Sequence, residues 1–303
     1  MGLDDFVYTL GRYCQDNFGQ RVQKLTLDAK FTCPNRDGTL GKGGCTFCNV
    51  ASFSHEPDTQ LSIAEQLTGG KQRLRAKANK FFAYFQAYTS TYEEYALLKR
   101  RYDEALQVAD LVGLCVGTRP DCVPDTVLAL LADYQQQGYE VWLELGLQTA
   151  NDDTLHRINR GHTFAAYQDA VTRARRFGLK VCTHLIFGFP HETIVDHQIT
   201  LAKVLDAGVD GLKLHPLHVV EGSTMAKAWR AGRLTPPTLE EYVASAADII
   251  RRTPKEIVFH RVTAYTKMPM LLAPQWCASR WIGLVGIVDN LAEYGGQGTY
   301  LTD

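Results

Sequence analysis

CPNRDGTLGKGGCTFC, residues 33–48, carries three cysteines and no fourth. Thr46 and Phe47 separate Cys45 from Cys48, so one short turn can aim both sulfurs at a single metal centre. Cys33 lies eleven intervening residues upstream, across a loop holding Gly38, Gly41, Gly43 and Gly44. A cubane iron–sulfur cluster has four irons and normally takes four thiolates. Three thiolates leave one iron open to a small molecule, which points to chemistry rather than to a purely structural site. The loop also follows the apolar run KLTL (24–27) directly. If that run is the first strand of a βα barrel, the cysteines sit at the C-terminal mouth, where βα loops build active sites.

The rest of the chain supports that placement. Short β-rich runs, FFAYFQA (81–87), LVGLCVG (111–117), EVWLELGL (140–147), KVCTHLIF (180–187) and DGLKLH (210–215), alternate with helical stretches near 61–78, 93–107, 124–137, 164–177 and 193–206. Pro124 and Asp125 open one helix and Gly138 closes it; Gly178 ends another. Alternation of this kind implies βα units and a parallel sheet, and near-continuous apolar strands imply a sheet covered on both faces. Six units in about 190 residues fall short of an eight-unit barrel. A partial (β/α)6 barrel and an open doubly wound sheet both fit, and the cysteine loop favours the barrel. The expected organisation is a helical lead-in over 1–23, the partial barrel over 24–216, and a C-terminal helical/strand extension over 217–303 that includes helices near 224–231 and 238–252 and the run IVFHRV (257–262).

Composition narrows the function. The 303 residues are 45% hydrophobic and 21% charged, enough for a large core in one barrel-sized domain. A net charge of −1 gives no global field for nucleic acid or anionic membrane. Locally, KQRLRAKANK (71–80) and LLKRR (97–101) cluster Lys and Arg, which reads either as solvated helix faces or as a tRNA-binding stripe. Eight cysteines in a chain of this length do not form a disulfide scaffold. No targeting leader and no apolar run near ~20 residues is seen, so no membrane span is expected and the cytoplasm is the expected location. Cys115 and Cys182 lie in apolar strands and read as core thiols, whereas Cys122 and Cys277, in less apolar surroundings, leave a second redox role open. Zinc held by the three cysteines with His55 is the bland alternative for the trio.

The Cys–Thr–Phe–Cys order resembles the C-x-Φ-C end of the radical SAM signature, with a longer first gap than that superfamily usually shows. ELGLQTANDDTLHRINRGHT (144–163) resembles the strand-four region of oxygen-independent coproporphyrinogen oxidases and of the radical SAM domain in elongator-type tRNA acetyltransferases. LIFGFPHET (185–193) resembles the G-x-P segment after strand five in the same enzymes, and GTRPDCV (117–123) the end of strand three, with Gly117 in place of the usual Glu. Nearly end to end, the chain resembles the bacterial YhcC-like subfamily of radical SAM proteins.

That resemblance implies a radical SAM enzyme. Cys33, Cys45 and Cys48 would hold a [4Fe–4S] cluster whose open iron takes the amino and carboxylate groups of S-adenosylmethionine (SAM). An electron from a donor such as flavodoxin or ferredoxin would then break the sulfonium bond and release a 5′-deoxyadenosyl radical, which abstracts hydrogen from substrate. By position, Phe47 would lie beside the adenine. Gln148 would contact SAM, and Arg160 would meet its carboxylate. Tyr88 and Thr89 stand where relatives carry a glycine-rich segment that meets the methionyl amine, and His184 stands where coproporphyrinogen-oxidase relatives carry Asp. Each has a structural alternative; Gln148 and Arg160 can simply serve the ends of neighbouring helices, and Glu144 either faces the mouth or pairs with a buried Lys or Arg. Lys213, His215, His218 and Glu221, after strand six, are substrate candidates or part of a rigid turn; His260 and Arg261 are weaker ones. No catalytic acid or base is assigned. The implied substrate is tRNA, at the C5 side chain of a wobble uridine. A small metabolite is the rival, and a zinc or Fe–S RNA-binding module without chemistry is the non-enzymatic reading.

Overall fold

A computed structural model describes residues 1–49 and 61–301. After α1 (Leu10–Phe18) the chain enters β1 (Val22–Leu27), the short α2 (Pro34–Asp37) and α3 (Ile63–Leu74). Regular βα units follow: β2 (Lys80–Phe85), α4 (Tyr95–Leu106), β3 (Leu111–Thr118), α5 (Asp125–Gln136) and β4 (Glu140–Gln148). Next come α6 (Asp152–Arg157), α7 (Phe164–Arg176), β5 (Lys180–Phe187), α8 (Ile194–Asp206) and β6 (Gly211–Pro216). The last part holds β7 (Val219–Val220), α9 (Thr224–Arg230), α10 (Leu239–Arg251), β8 (Val258–Arg261), β9 (Leu271–Ala273) and α11 (Ile282–Tyr294). No described helix is long and apolar enough to cross a membrane.

The main sheet has seven strands in the order β1-β2-β3-β4-β5-β6-β8, all parallel. The expected partial barrel is therefore present with one strand more than the six units counted. Its last strand, β8, comes from the stretch read as a C-terminal extension, so the sheet does not end at residue 216. The sheet curls. Lys24 on β1 reaches His260 on β8, 2.9 Å away, and also contacts Glu144 on the central β4.

The curl divides the core. The outer face of the sheet packs on the surrounding helices, with Phe85, Leu114, Leu143 and Leu185 buried there among Leu67, Leu98, Leu131, Tyr167 and Leu201. Inside, a smaller cluster of Phe82, Tyr84, Cys115, Trp142 and Cys182 is plugged at the strands' N-terminal end by Tyr13 and Cys14 of α1. Tyr13 meets Trp142 edge-on at 5.5 Å, and its hydroxyl donates to Glu140 Oε1 at 2.6 Å. The lead-in also covers the free edge of β8, where Phe259 N donates to Tyr8 O at 2.8 Å, leaving less unpaired strand to template other chains. Local caps follow the sequence: Ser62 and Glu65 form a capping box on α3, as do Thr238 and Glu241 on α10.

Candidate active site

The mouth of the half-barrel opens into a cavity of about 300 Å3, and Cys33, Cys45 and Cys48 all line it. Cys33 precedes the single-turn α2, and Cys48 N donates to Cys45 O at 3.0 Å, closing the short turn expected from the two-residue spacing. The loop is stapled to the segment after β4. Thr46 N donates to Ile158 O (2.9 Å), Asn35 Nδ2 to Asn159 O (2.6 Å) and Asn159 Nδ2 to Gly44 O (2.8 Å). Gly44 has φ +76, and a Cβ there would fall 2.8 Å from Arg36 Nε; the position thus needs glycine both for conformation and for space. Arg36 uses that room to donate to Cys48 O at 2.9 Å.

The donor set suits thiolates. Cys45 Sγ receives Arg160 Nη1 at 3.4 Å and Asn35 Nδ2 at 3.7 Å. N–H donors at a ligand sulfur orient it toward a metal. None of the three cysteines is in a disulfide. Arg119, also on the cavity wall and 2% exposed, is held by Asp121 in a two-point contact (3.0 and 2.7 Å), and its third nitrogen, Nη1, has no hydrogen-bond partner. Three free sulfurs ringed by guanidinium groups fit a thiolate-ligated cluster. The zinc alternative turns on His55, which lies outside the described residues.

The strand ends supply the next layer. Gln148 ends β4 with φ +84, and Tyr88 follows β2 with φ +61, both left-handed conformations that L residues with side chains rarely adopt. Such strain persists where surrounding structure enforces it and gathers at functional sites; both residues line the cavity. Tyr88 thus takes up, at some cost, a conformation that a glycine-rich segment provides freely. Thr89 is fully buried on the same wall, and its hydroxyl has no partner. Gly146 makes room for two candidates at once: a Cβ there would lie 2.8 Å from Arg160 Nη2 and 2.9 Å from Gln148 Nε2. Arg160 also donates through Nε to Gly146 O at 3.2 Å. Phe47 leans on Phe189 of the G-x-P segment, ring centres 5.8 Å apart, at the cavity edge.

On the interior wall, Glu144 is fully buried and is the hub of a charged network. Lys24 contacts one carboxylate oxygen; Lys213 Nζ lies 3.0 Å and His184 Nε2 2.6 Å from the other, with His260 Nδ1 at 3.3 Å from the first. Lys213 also donates to Tyr84 OH at 2.6 Å. Burial by itself would raise the Glu144 pKa, but the ammonium groups of Lys213 and Lys24 and the two imidazoles hold it well below the usual carboxylate range. Burial pulls Lys213 down to about 8 against the pull of Glu144, and pulls His184 down to about 4. Of the two readings left open for Glu144, the structure fulfils both: it pairs with buried lysines and lines the cavity.

Thus Cys33, Cys45, Cys48, Phe47, Tyr88, Thr89, Gln148, Arg160, His184, Lys213, His215 and His218 all come together on one cavity. Glu221 does not; its carboxylate pairs with Arg230 at the surface. Cys122 and Cys277 are buried, and burial raises both thiols, Cys122 to about 12, so neither offers an accessible thiolate. Sequence reasoning missed Asn35, Arg36, Arg119, Tyr84 and Lys24. Asn35 and Arg36 carried a signal in their place inside the cysteine loop, and Arg119 in its place within GTRPDCV; Tyr84 and Lys24 carried none.

Comparison with known proteins is consistent with this geometry. The family described as Radical SAM superfamily matches residues 36–204, and the Radical_SAM C-terminal domain matches 209–293. The chain is 56% identical to Protein YhcC of Escherichia coli K12 over 301 residues, covering 99% of this chain and 97% of that one. It is 32% identical over 155 residues to a tRNA uridine(34) acetyltransferase of Dehalococcoides mccartyi, covering 50% of this chain and 33% of that one. In fold it is similar to the archaeal Methanocaldococcus infernus Elp3, with a TM-score of 0.64 at 17% identity, covering 90% of this chain and 63% of that one. The chain belongs to the radical SAM superfamily, as an enzyme that uses a [4Fe–4S] cluster and S-adenosylmethionine.

Proposed function

We propose that this enzyme modifies tRNA at the C5 side chain of a wobble uridine, with Cys33, Cys45 and Cys48 as the cluster ligands. The observation that carries the substrate is the similarity of half the chain to a tRNA uridine(34) acetyltransferase. The cluster and SAM, when bound, supply a carbon-centred radical that removes a hydrogen atom from the substrate. The protein's part is to position and enclose. Arg160 and Asn35 orient Cys45, and Arg36 fixes the backbone of Cys48. Gln148, Thr89 and Tyr88 offer polar groups to SAM from the ends of β4 and β2, with Phe47 as the apolar surface for its base. The curled sheet is closed at the N-terminal end of its strands by Tyr13 and Cys14 of α1. Reducing equivalents would come from flavodoxin or ferredoxin.

The basic runs are partly neutralised. Lys71 and Lys80 pair with Asp110, Lys99 with Asp103 and Arg101 with Glu104. Arg73, Arg75 and Lys77 are exposed, without an ion pair among the described residues, and are the cations to test against phosphate. The test is 5′-deoxyadenosine formation with and without tRNA stripped of its modifications. Stimulation by tRNA, with binding that weakens steeply in salt and on charge reversal at Arg73, Arg75 and Lys77, is expected. Absence of both would move the assignment to a small metabolite.

A further inference from the structure

The wall of the cavity formed by β6 and β8 holds more positive charge than the described residues balance. Glu144 is the only carboxylate among the described residues lining the cavity, and it is already engaged by Lys24, Lys213, His184 and His260. Arg261 lines the same cavity with no ion-pair partner among the described residues, and its Nε is buried without a hydrogen bond. A register shift between Leu212 and Lys213 skips His260 and sets Arg261 directly opposite Lys213 on the adjacent strand. Consecutive strand residues normally face opposite ways, so the bulge is what lets His260 meet Glu144 while Arg261 also lines the cavity. Like charges directly opposite in a sheet are destabilising, and a partly buried cation without a counter-charge is costly.

His218 adds an imidazole to the same wall. It is 7% exposed; its Nδ1 is 3.1 Å from Thr266 Oγ1, and its Nε2 makes no hydrogen bond to the described residues. In the tautomer in which Nδ1 accepts from Thr266, Nε2 presents an N–H to the cavity. His215 braces this ring edge-on at 4.4 Å.

We propose that Arg261, His218 and Lys213 form a binding site for an oxyanion carried by the substrate, a carboxylate or a phosphate. The bulge in β8 builds the site by turning a second cation inward, and the anion supplies the missing countercharge. The arginines near the cysteines do not need this anion, since Arg36 and Arg160 serve the sulfur loop and Arg119 is paired with Asp121. The site goes beyond the tRNA reading, because it holds equally for a small-metabolite substrate.

The test uses reconstituted holoenzyme with saturating SAM, titrated with sodium acetate or inorganic phosphate at constant ionic strength, with chloride as control and the melting midpoint as readout. A saturable rise with acetate alone identifies a carboxylate site and with phosphate alone a phosphate site; a rise with both identifies a general oxyanion site. Arg261→Gln should weaken the apparent affinity at least tenfold, Arg261→Lys less than threefold, and neither should change SAM affinity more than twofold. In the absence of anion Arg261→Gln should melt no lower than wild type, because it removes an uncompensated charge. No saturable effect beyond chloride, equal anion affinity in Arg261→Gln, a parallel loss of SAM binding, or a lower anion-free melting point would each overturn the proposal.

Discussion

Replacing Glu144 by Gln removes the one negative charge among two buried ammonium groups while keeping size and an acceptor oxygen. Glu144 is fully buried, and the side chains of Lys24 and Lys213 are 17% and 7% exposed, so water reaches neither well enough to replace the carboxylate. Breaking a buried ion pair by removing one partner costs about 3–5 kcal/mol, because the other charge stays buried. With an unfolding entropy near 2 cal/mol/K per residue, that is a fall in melting temperature on the order of 5–8 °C for a chain of this size. Lys213→Met should cost much less, about 1 kcal/mol. It leaves Lys24 and Glu144 as a balanced pair and deprives Tyr84 OH of its Lys213 contact. The double variant should recover part of the loss, with a coupling of about 1–3 kcal/mol. The assay is denaturant unfolding of the anaerobic protein. A Glu144→Gln variant within about 1 kcal/mol of wild type would show that the carboxylate is not what holds these lysines, and would refute the reasoning.

Arg160→Ala should weaken SAM binding by about 2 kcal/mol, the scale of a charge-assisted hydrogen bond, measured by isothermal titration of the reconstituted enzyme; unchanged affinity with a large drop in melting temperature would make Arg160 structural. Gly146→Ala should mimic it, because the added methyl meets both Arg160 Nη2 and Gln148 Nε2, and normal SAM affinity in that variant would speak against the shared space. Acid should destabilise the fold. Burial holds His197 at about 4 and His218 at about 3, so below about pH 6.5 the unfolded chain takes up protons that the folded one refuses. Stability is then complete above that pH and is lost as pH falls through 4 and 3, by about 1–3 kcal/mol for each ring; a flat melting curve from pH 7 to about 4.5 would contradict this.

Much of the scaffold was legible in the chain. KVCTHLIF coincides with β5 as Lys180–Phe187, and the other five early strands fall within two residues, because strands covered on both faces leave unbroken apolar runs. β8 was not recognised as part of the sheet. It has four residues, it follows two helices and a short strand instead of a single crossover, and its bulge breaks the alternation. The cysteine loop could be read because its ligands lie close in sequence. The Glu144 network could not, since its partners come from β1, β5, β6 and β8 and meet only when the sheet curls. Glu221 was misplaced for a related reason: it adjoins the inward-facing LHPLHVV run, but the turn at Gly222, φ +76, carries it to the surface and to Arg230. Nor can sequence show that Tyr88 adopts a glycine-like φ.

Iron content and SAM cleavage measured together on one set of cysteine variants test the ligand assignment most directly. Anaerobically reconstituted wild type should bind one [4Fe–4S] cluster per chain and form 5′-deoxyadenosine when reduced. Alanine at Cys33, Cys45 or Cys48 should abolish that product while far-ultraviolet circular dichroism stays native, and alanine at Cys122 or Cys277 should leave it intact. Continued 5′-deoxyadenosine formation by the triple Cys33, Cys45 and Cys48 variant, or stoichiometric zinc without iron in the wild type, would contradict the account.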